Sequence, residues 1–355
     1  MGKNSFLRRN WRTIVTVATI VALVALLIAI REQVIETFNN LGKVHTWLLL
    51  LIIPLTLVNY HAQTKMYQGL FRLLGNKLSY GFLFRAALEL NFINTVFPSG
   101  GVSGISYFGI RLRNQEITGT RASFVHIMKL LLIFVSFEVL LIVGLLIMAI
   151  GGKANDVVIL VAGSISTLLV VGTFGFWAIL RSERRIHATF SFITNALNRL
   201  IHIFRRNHPE TLSTARAENI VRDLHINYMV IENNYRRLQG PFLWALVLNM
   251  SAILSIYVVY IAFDAWVNLG AIILAYSVAN FAGLVSVLPG GVGIYEALMT
   301  GVLAAAGVPP ALSLPVTVMF RVLSTVIQVP PGYILYHQTV NRNKVDEQQI
   351  RHHHE

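Results

Sequence analysis

Apolar residues in this chain come in long blocks, not at the 3.6- or 2-residue spacing of half-buried helices and strands. Thr13–Ile30, Trp47–Tyr60, Ser123–Ile150, Val157–Leu180, Pro241–Phe263 and Leu312–Tyr336 are such blocks. A helix needs about 20 apolar residues to cross about 30 Å of hydrocarbon, and most of these blocks approach that length. Trp47–Tyr60 is shorter and runs on into a mixed polar helix. Thr13–Ile30 follows the basic leader Lys3, Arg8, Arg9 and Arg12; it is long for a signal peptide and lacks a small-residue cleavage site, so it reads as an anchor. Two further apolar stretches, Gly81–Ile110 and Leu269–Val308, are broken at their centres by proline and glycine. The expected fold is an all-α polytopic membrane protein with about six spanning helices and two re-entrant, glycine-broken helical hairpins.

The two broken stretches are copies of one pattern. The first contains Pro98-Ser-Gly100-Gly101-Val-Ser-Gly104-Ile-Ser-Tyr107 and the second Pro289-Gly290-Gly291-Val-Gly293-Ile-Tyr295-Glu296. Each is followed by a basic residue inside an apolar block: Lys129 lies 31 residues after Pro98, and Arg321 lies 32 after Pro289. In the implied topology the first hairpin enters from one side of the membrane and the second from the other. Inverted repeats with breaks in matching places are a transporter signature, with the site near the midplane. Proline and glycine leave backbone groups unpaired there, which hydrocarbon tolerates only where the break is buried in protein or lines a wet cavity. A helix starting at Gly101 or Gly291 would direct its positive end into that cavity, where a phosphate or carboxylate is favoured. Close helix packing is the competing use of such glycines.

Composition agrees: 55% of the residues are hydrophobic, 13% are charged, and the mean hydropathy is +0.63. The absence of cysteine excludes disulfides and thiolate metal sites. The net charge of +13 raises nucleic acid as a partner, but the distribution argues against it. With both termini cytoplasmic, the inner segments hold 24 of the 29 Lys and Arg, against 3 outside. That is the positive-inside pattern, with the basic residues facing anionic headgroups of the plasma (inner) membrane. The parts are then an anchor (1–45), a first membrane repeat (46–180), an Arg-rich amphipathic connector (181–240), a second repeat (241–338) and a cytoplasmic tail (339–355).

Ionisable residues at membrane depth are costly and so mark function or pairing. Lys129, Glu138 and Arg321 fall in spans; Arg85, Glu89 and Glu296 fall in or beside the hairpins. Arg85 and Glu89 are spaced to pair on one helix face. Glu296 is a candidate partner for Arg321, and Glu89 or Glu138 for Lys129. An inverted repeat would set Lys129 and Arg321 on opposite sides of one central site, a pair suited to a lipid phosphate, with Glu89 and Glu296 holding the cations when the site is empty.

The Pro-Ser-Gly-Gly-Val-Ser-Gly and Leu-Pro-Gly-Gly-Val-Gly-Ile-Tyr-Glu motifs, together with Asn91, Asn94 and Asn280, resemble the lysylphosphatidylglycerol synthase transmembrane-region family. The resemblance covers about Trp11 to His337. It implies translocation of a charged lipid: an anionic or aminoacylated phospholipid, or a polyprenyl-linked lipid. Candidate binding residues are Lys129, Arg321, Glu89, Glu296, Asn91, Asn94, Asn280, Gly100, Gly101, Gly104, Gly290, Gly291, Gly293, Tyr107 and Tyr295. The chain ends 18 residues beyond His337, so the aminoacyl-transfer activity of the synthase members is not expected. A polyprenyl-phosphate-dependent glycosyltransferase is the enzymatic alternative, although the first outer loop offers only Glu32 and Glu36. A non-transporting accessory of envelope lipid synthesis is the third reading, and a homo-oligomer or a lipid-synthesising enzyme is a candidate partner. No cofactor or metal site is expected; the run His352–His354 has the character of a disordered tail. The topology has a direct check. Cysteines placed at positions 153 and 266 should react with an impermeant maleimide added outside intact cells, and one at 210 should be protected; the reverse pattern would overturn it.

Overall fold

The structure, a computed structural model, describes Val21, Val24, Ile28 and residues 31–42, 44–97, 102–152, 155–189, 191–192, 214–283 and 293–352. The anchor block Thr13–Ile30 and both glycine breaks (98–101 and 284–292) therefore lie largely or wholly outside the described residues, as does 193–213 of the connector.

The described residues form helices and no strands. We number them α1 (Arg31–Leu41), α2 (Ile52–Leu73, entered through a helical turn at Thr46–Leu49), α3 (Tyr80–Val96), α4 (Val102–Arg111), α5 (Gly119–Ile150), α6 (Asp156–Leu180), α7 (Thr214–Asn233), α8 (Gln239–Ala262), α9 (Leu269–Gly283), α10 (Ile294–Ala305) and α11 (Pro310–His352). Local chemistry sets several starts. The side chains of Ser79, Thr118 and Asn155 accept hydrogen bonds from the backbone N–H groups of Phe82, Arg121 and Val158, capping α3, α5 and α6. Pro310 opens α11, where a missing N–H costs nothing.

Among the described residues, five helices are long and apolar enough to cross a membrane: Thr46–Leu73, Gly119–Ile150, Asp156–Leu180, Tyr235–Ala262 and Pro310–Asn341. They match five of the expected blocks, and α11 continues as helix through most of the segment expected to be a tail. The broken stretches are each two short helices. α3 and α4 have 17 and 10 residues, and α9 and α10 have 15 and 12. At 1.5 Å per residue these are roughly 15–25 Å long, too short for each to span the hydrocarbon.

Where the ends of these hairpins lie shows that they enter from opposite faces. The loops flanking α3–α4 meet through Arg121 Nη1, which donates to Asn76 at 3.2 Å. The start of α9 lies against the end of α5, with Asn268 beside Gly151. The end of α10 is held there too, where Asn155 donates to the Ala305 carbonyl at 2.9 Å. At that same face the His45 N–H reaches the Ala262 carbonyl at 2.9 Å, so α2 and α8 run antiparallel.

Packing partners then exchange pairwise. α3 leans on α11 while α9 leans on α5; α4 packs on α5 while α10 packs on α11; α2 and α8 pack against each other. Each hairpin is thus clasped by long helices of both halves, the relation an inverted repeat produces. In the described part of the connector, α7 is amphipathic in effect: Val221, Tyr228 and Ile231 are buried in a cluster with Leu180 and Ile186.

The α5–α9 crossing depends on two glycines. A Cβ on Gly270 would land on the carbonyl oxygen of Gly144 and lie 2.9 Å from Met148 Cγ. Gly270→Ala should therefore destabilise the protein by about 1–3 kcal/mol through overpacking, whereas Gly163→Ala, which meets nothing within 4 Å, should leave it unchanged. Melting temperatures of the two variants in detergent make the comparison.

Candidate functional site

At the centre of the bundle is a cavity of about 500 Å³ lined from α2, α3, α5, α8, α9, α10 and α11. Its lining includes Asn59 and Gln63 of α2, Asn91 and Asn94 of α3, Lys129 of α5, Ser251 and Ser255 of α8, Asn280 of α9, Tyr295 of α10 and Arg321 of α11. The two repeats thus bring both intramembrane cations to one chamber. Each cation lies deeper than a turn or two from its helix start. Lys129 is ten residues into α5 and Arg321 eleven into α11, roughly 15 Å of rise from opposite faces.

The cations have different surroundings. Arg321 forms an ion pair with Glu296, and its guanidinium lies over the Tyr295 ring, 4.9 Å from the centroid. Glu296 is buried, and its other oxygen accepts from the Gly293 N–H at 2.6 Å. Gly293, with φ of +87°, is the N-cap residue of α10, so this helix begins at Ile294 and not at Gly291 as expected. The helix N-terminus therefore receives the carboxylate of its own third residue. That carboxylate neutralises the helix end and the arginine together. Lys129 is 6% exposed. Its ammonium lies 5.1 Å from the centroid of the Tyr67 ring, and no described carboxylate comes within ion-pair distance.

The amides of the cavity wall are partly self-satisfied. Gln63 and Asn91 exchange hydrogen bonds of 3.2 and 3.1 Å, tying α2 to α3. Asn59 donates to the Leu248 carbonyl at 2.9 Å and to Ser251 Oγ at 3.0 Å, tying α2 to α8. Asn280 donates to the Tyr276 carbonyl one turn back. The Oδ1 of Asn94 is buried without a hydrogen-bond partner among the described residues. It lies where a Cβ of Gly104 would have to stand. The glycine pattern of the first motif thus has a clear use at this position, which is to admit an asparagine side chain.

Two of the expected site residues belong elsewhere. Glu89 does not reach Lys129, nor is Arg85 its partner. It is almost fully buried at the middle of α3, and it accepts hydrogen bonds from Arg111 Nε (2.8 Å), Tyr107 OH (2.6 Å) and Thr339 Oγ1 (2.7 Å). Spacing along α3 favoured Arg85, but folding back of α4 brings Arg111 closer. Tyr107 is likewise a member of this cluster and not of the cavity. Glu138 bonds to Ser166 on α6 at 2.8 Å, away from Lys129. Gly100, Gly101, Gly290 and Gly291 lie outside the described residues. Sequence reasoning passed over Asn59, Gln63, Ser251 and Ser255, although a run of amide and hydroxyl side chains inside apolar spans is the signal that marks them.

These features define a multi-pass membrane protein built around a polar, cationic chamber. Comparison with known proteins places it further. The family model for the lysylphosphatidylglycerol synthase TM region matches residues 13–332, and the chain belongs to that family. It is similar to a UPF0104 membrane protein of Pyrococcus horikoshii, 26% identical over 150 residues. It is also similar to a UPF0104 membrane protein of Methanothermobacter thermautotrophicus, 31% identical over 99 residues. The matched segments cover 41% and 28% of this chain and 45% and 30% of those relatives.

The Glu89 cluster joins α3, α4 and α11, and its removal has a local consequence. Glu89→Gln should cost about 2 kcal/mol, since it removes charge-assisted hydrogen bonds and strands Arg111. Amide hydrogen exchange over 102–111 should speed up in that variant while exchange in α8 does not; uniform exchange across both would show that the cluster does not hold α4.

Proposed function

We propose that the protein moves an anionic, phosphate-bearing lipid headgroup between leaflets through the central cavity, without chemical change to the lipid. The observation that carries this reading is Lys129: a buried ammonium with no described carboxylate partner, in the same chamber as the Arg321–Glu296 pair. A charge at membrane depth costs about 2.5–3.5 kcal/mol unless it is paired or hydrated, and an entering phosphate would supply the missing counter-charge. Lys129 then acts as a point charge on the phosphate, whereas Arg321 can turn a planar fork of donors from Glu296 toward it. Amide and hydroxyl groups of the wall stand in for the water that the headgroup sheds, and acyl chains stay in the bilayer. Rocking of the hairpins about the long helices would open the chamber to each face in turn.

The same reading assigns a direction to the fold. The end that carries Lys65, Arg72, Arg111, Arg121 and Arg237 faces the cytoplasm of a plasma (inner) membrane, as the distribution of basic residues favours. Energy would come from the membrane potential, an ion gradient or the lipid's own gradient.

Protein reconstituted in liposomes with fluorescently labelled phosphatidylglycerol allows a rate of leaflet exchange to be read by dithionite quenching. Lys129→Gln should slow exchange about tenfold or more, the equivalent of losing one charge-assisted contact of about 1.5 kcal/mol. The charge-swapped double variant Arg321→Glu with Glu296→Arg should also be slow, because a phosphate site needs its cation in place. Wild-type rates in both variants would show that neither Lys129 nor the Arg321–Glu296 pair handles the lipid and would remove the basis for translocation.

A further inference from the structure

A second cleft lies at the basic end of the bundle and shares no lining residue with the central cavity. It has a volume of about 480 Å³ and lies between the last turns of α2 (Lys65, Gln68, Gly69, Arg72, Leu73) and the opening of α8 (Arg237, Gly240, Pro241, Trp244). Among the described residues, three cations and no acidic residue line it. Lys65 lies over the Tyr80 ring, 5.5 Å from its centroid. Arg72 and Arg237 are exposed, and neither makes an ion pair with a described residue. The floor is tight, since a Cβ on Gly69 would lie 2.8 Å from Pro241 Cγ. Trp244 forms one wall and is braced edge-on by His61, with ring centroids 5.2 Å apart.

Depth identifies the class of ligand. The apolar blocks that meet here, Trp47–Tyr60 and Pro241–Phe263, stop short of Lys65, Arg72 and Arg237, so the three cations stand at headgroup level, with Trp244 in the first turn of the second block, the interfacial position such rings favour. Basic pockets between helices at that level suit the phosphates of anionic lipids. We infer that this cleft is a binding site for a phosphate group, supplied by an anionic lipid of the adjoining leaflet. The site stands apart from the translocation reading, because its residues and its helix pair do not depend on what the central cavity does. A lipid held there has its phosphate among Lys65, Arg72 and Arg237 and its glycerol beside Trp244. Acyl chains then run down the outer side of the α2–α8 pair. The attraction is to exposed charge, so it weakens as salt rises.

Trp244 is a built-in reporter. A variant that keeps Trp244 and replaces the other four of the five tryptophans by Phe is placed in phosphatidylcholine nanodiscs. Phosphatidylglycerol with brominated acyl chains, or brominated phosphatidylcholine, is then added as quencher. Brominated phosphatidylglycerol should quench Trp244 preferentially. Each of Lys65→Gln, Arg72→Gln and Arg237→Gln should lower the preference about fivefold, the equivalent of about 1 kcal/mol per cation. Lys129→Gln should leave it intact, which separates this site from the central cavity. A preference that survives millimolar inorganic phosphate identifies the lipid as the source. No lipid preference, but a cation-dependent shift of Trp244 emission on adding inorganic phosphate, identifies a soluble phosphate instead. Equal quenching by both lipids with no response to phosphate overturns the site, as does a preference that persists when all three cations are removed from a variant with an unchanged melting temperature.

Discussion

A peptide group in hydrocarbon has no water to bond with, so a helix broken at mid-membrane must be enclosed by the rest of the protein. The architecture follows from that constraint. Two such breaks exist, and each pair of short helices is enclosed by long ones: α3 and α4 by α11 and α5, and α9 and α10 by α5 and α11. The enclosure leaves a space at the centre. Many polar side chains collect around that space, where they find partners in one another. Asn59, Gln63, Asn91 and Ser251 bond to one another or to nearby backbone, and so fix the walls while keeping the centre polar.

The same constraint explains the contrast between the two cations. Arg321 is on the helix that packs against α10, whose first turn supplies a carboxylate already needed to cap the helix. Its charge is therefore answered by the fold itself. Lys129 occupies the equivalent place on α5, but α4 has no acidic residue in its first turn; the motif that reads Gly-Ile-Tyr-Glu in the second copy reads Gly-Ile-Ser-Tyr in the first. The asymmetry at one motif position gives the chamber its surplus of positive charge.

Much of this was legible in the residues. Apolar blocks located the spans because length and the absence of charge are all that crossing requires, and the paired motifs located the hairpins because few other uses put proline and glycine at the centre of an apolar stretch. Lys129, Arg321, Asn91, Asn94, Asn280 and Tyr295 were brought to one cavity by the repeat itself. What the residues could not show was anything set by how the hairpin closes. Glu89 was matched to Arg85 by helical spacing, but its partners come from α4 and α11, and no local rule connects position 89 to position 339. The start of α10 was misplaced for a related reason. Gly291 and Gly293 both permit a helix to begin, and the choice falls to Gly293 because only there does Glu296 stand at the right spacing to cap it.

Exchange of packing partners between the halves bears on how the protein is made. A chain inserted from its N-terminus delivers α3 and α4 long before the helix that clasps them exists. Thr339, which closes the ring of donors around Glu89, follows 250 residues later. Until α11 arrives, the first hairpin has one flank without its protein neighbour and a buried-type carboxylate with an incomplete set of donors. The first half therefore completes its packing only when a helix of the second half reaches it, so the two repeats mature together and not one after the other.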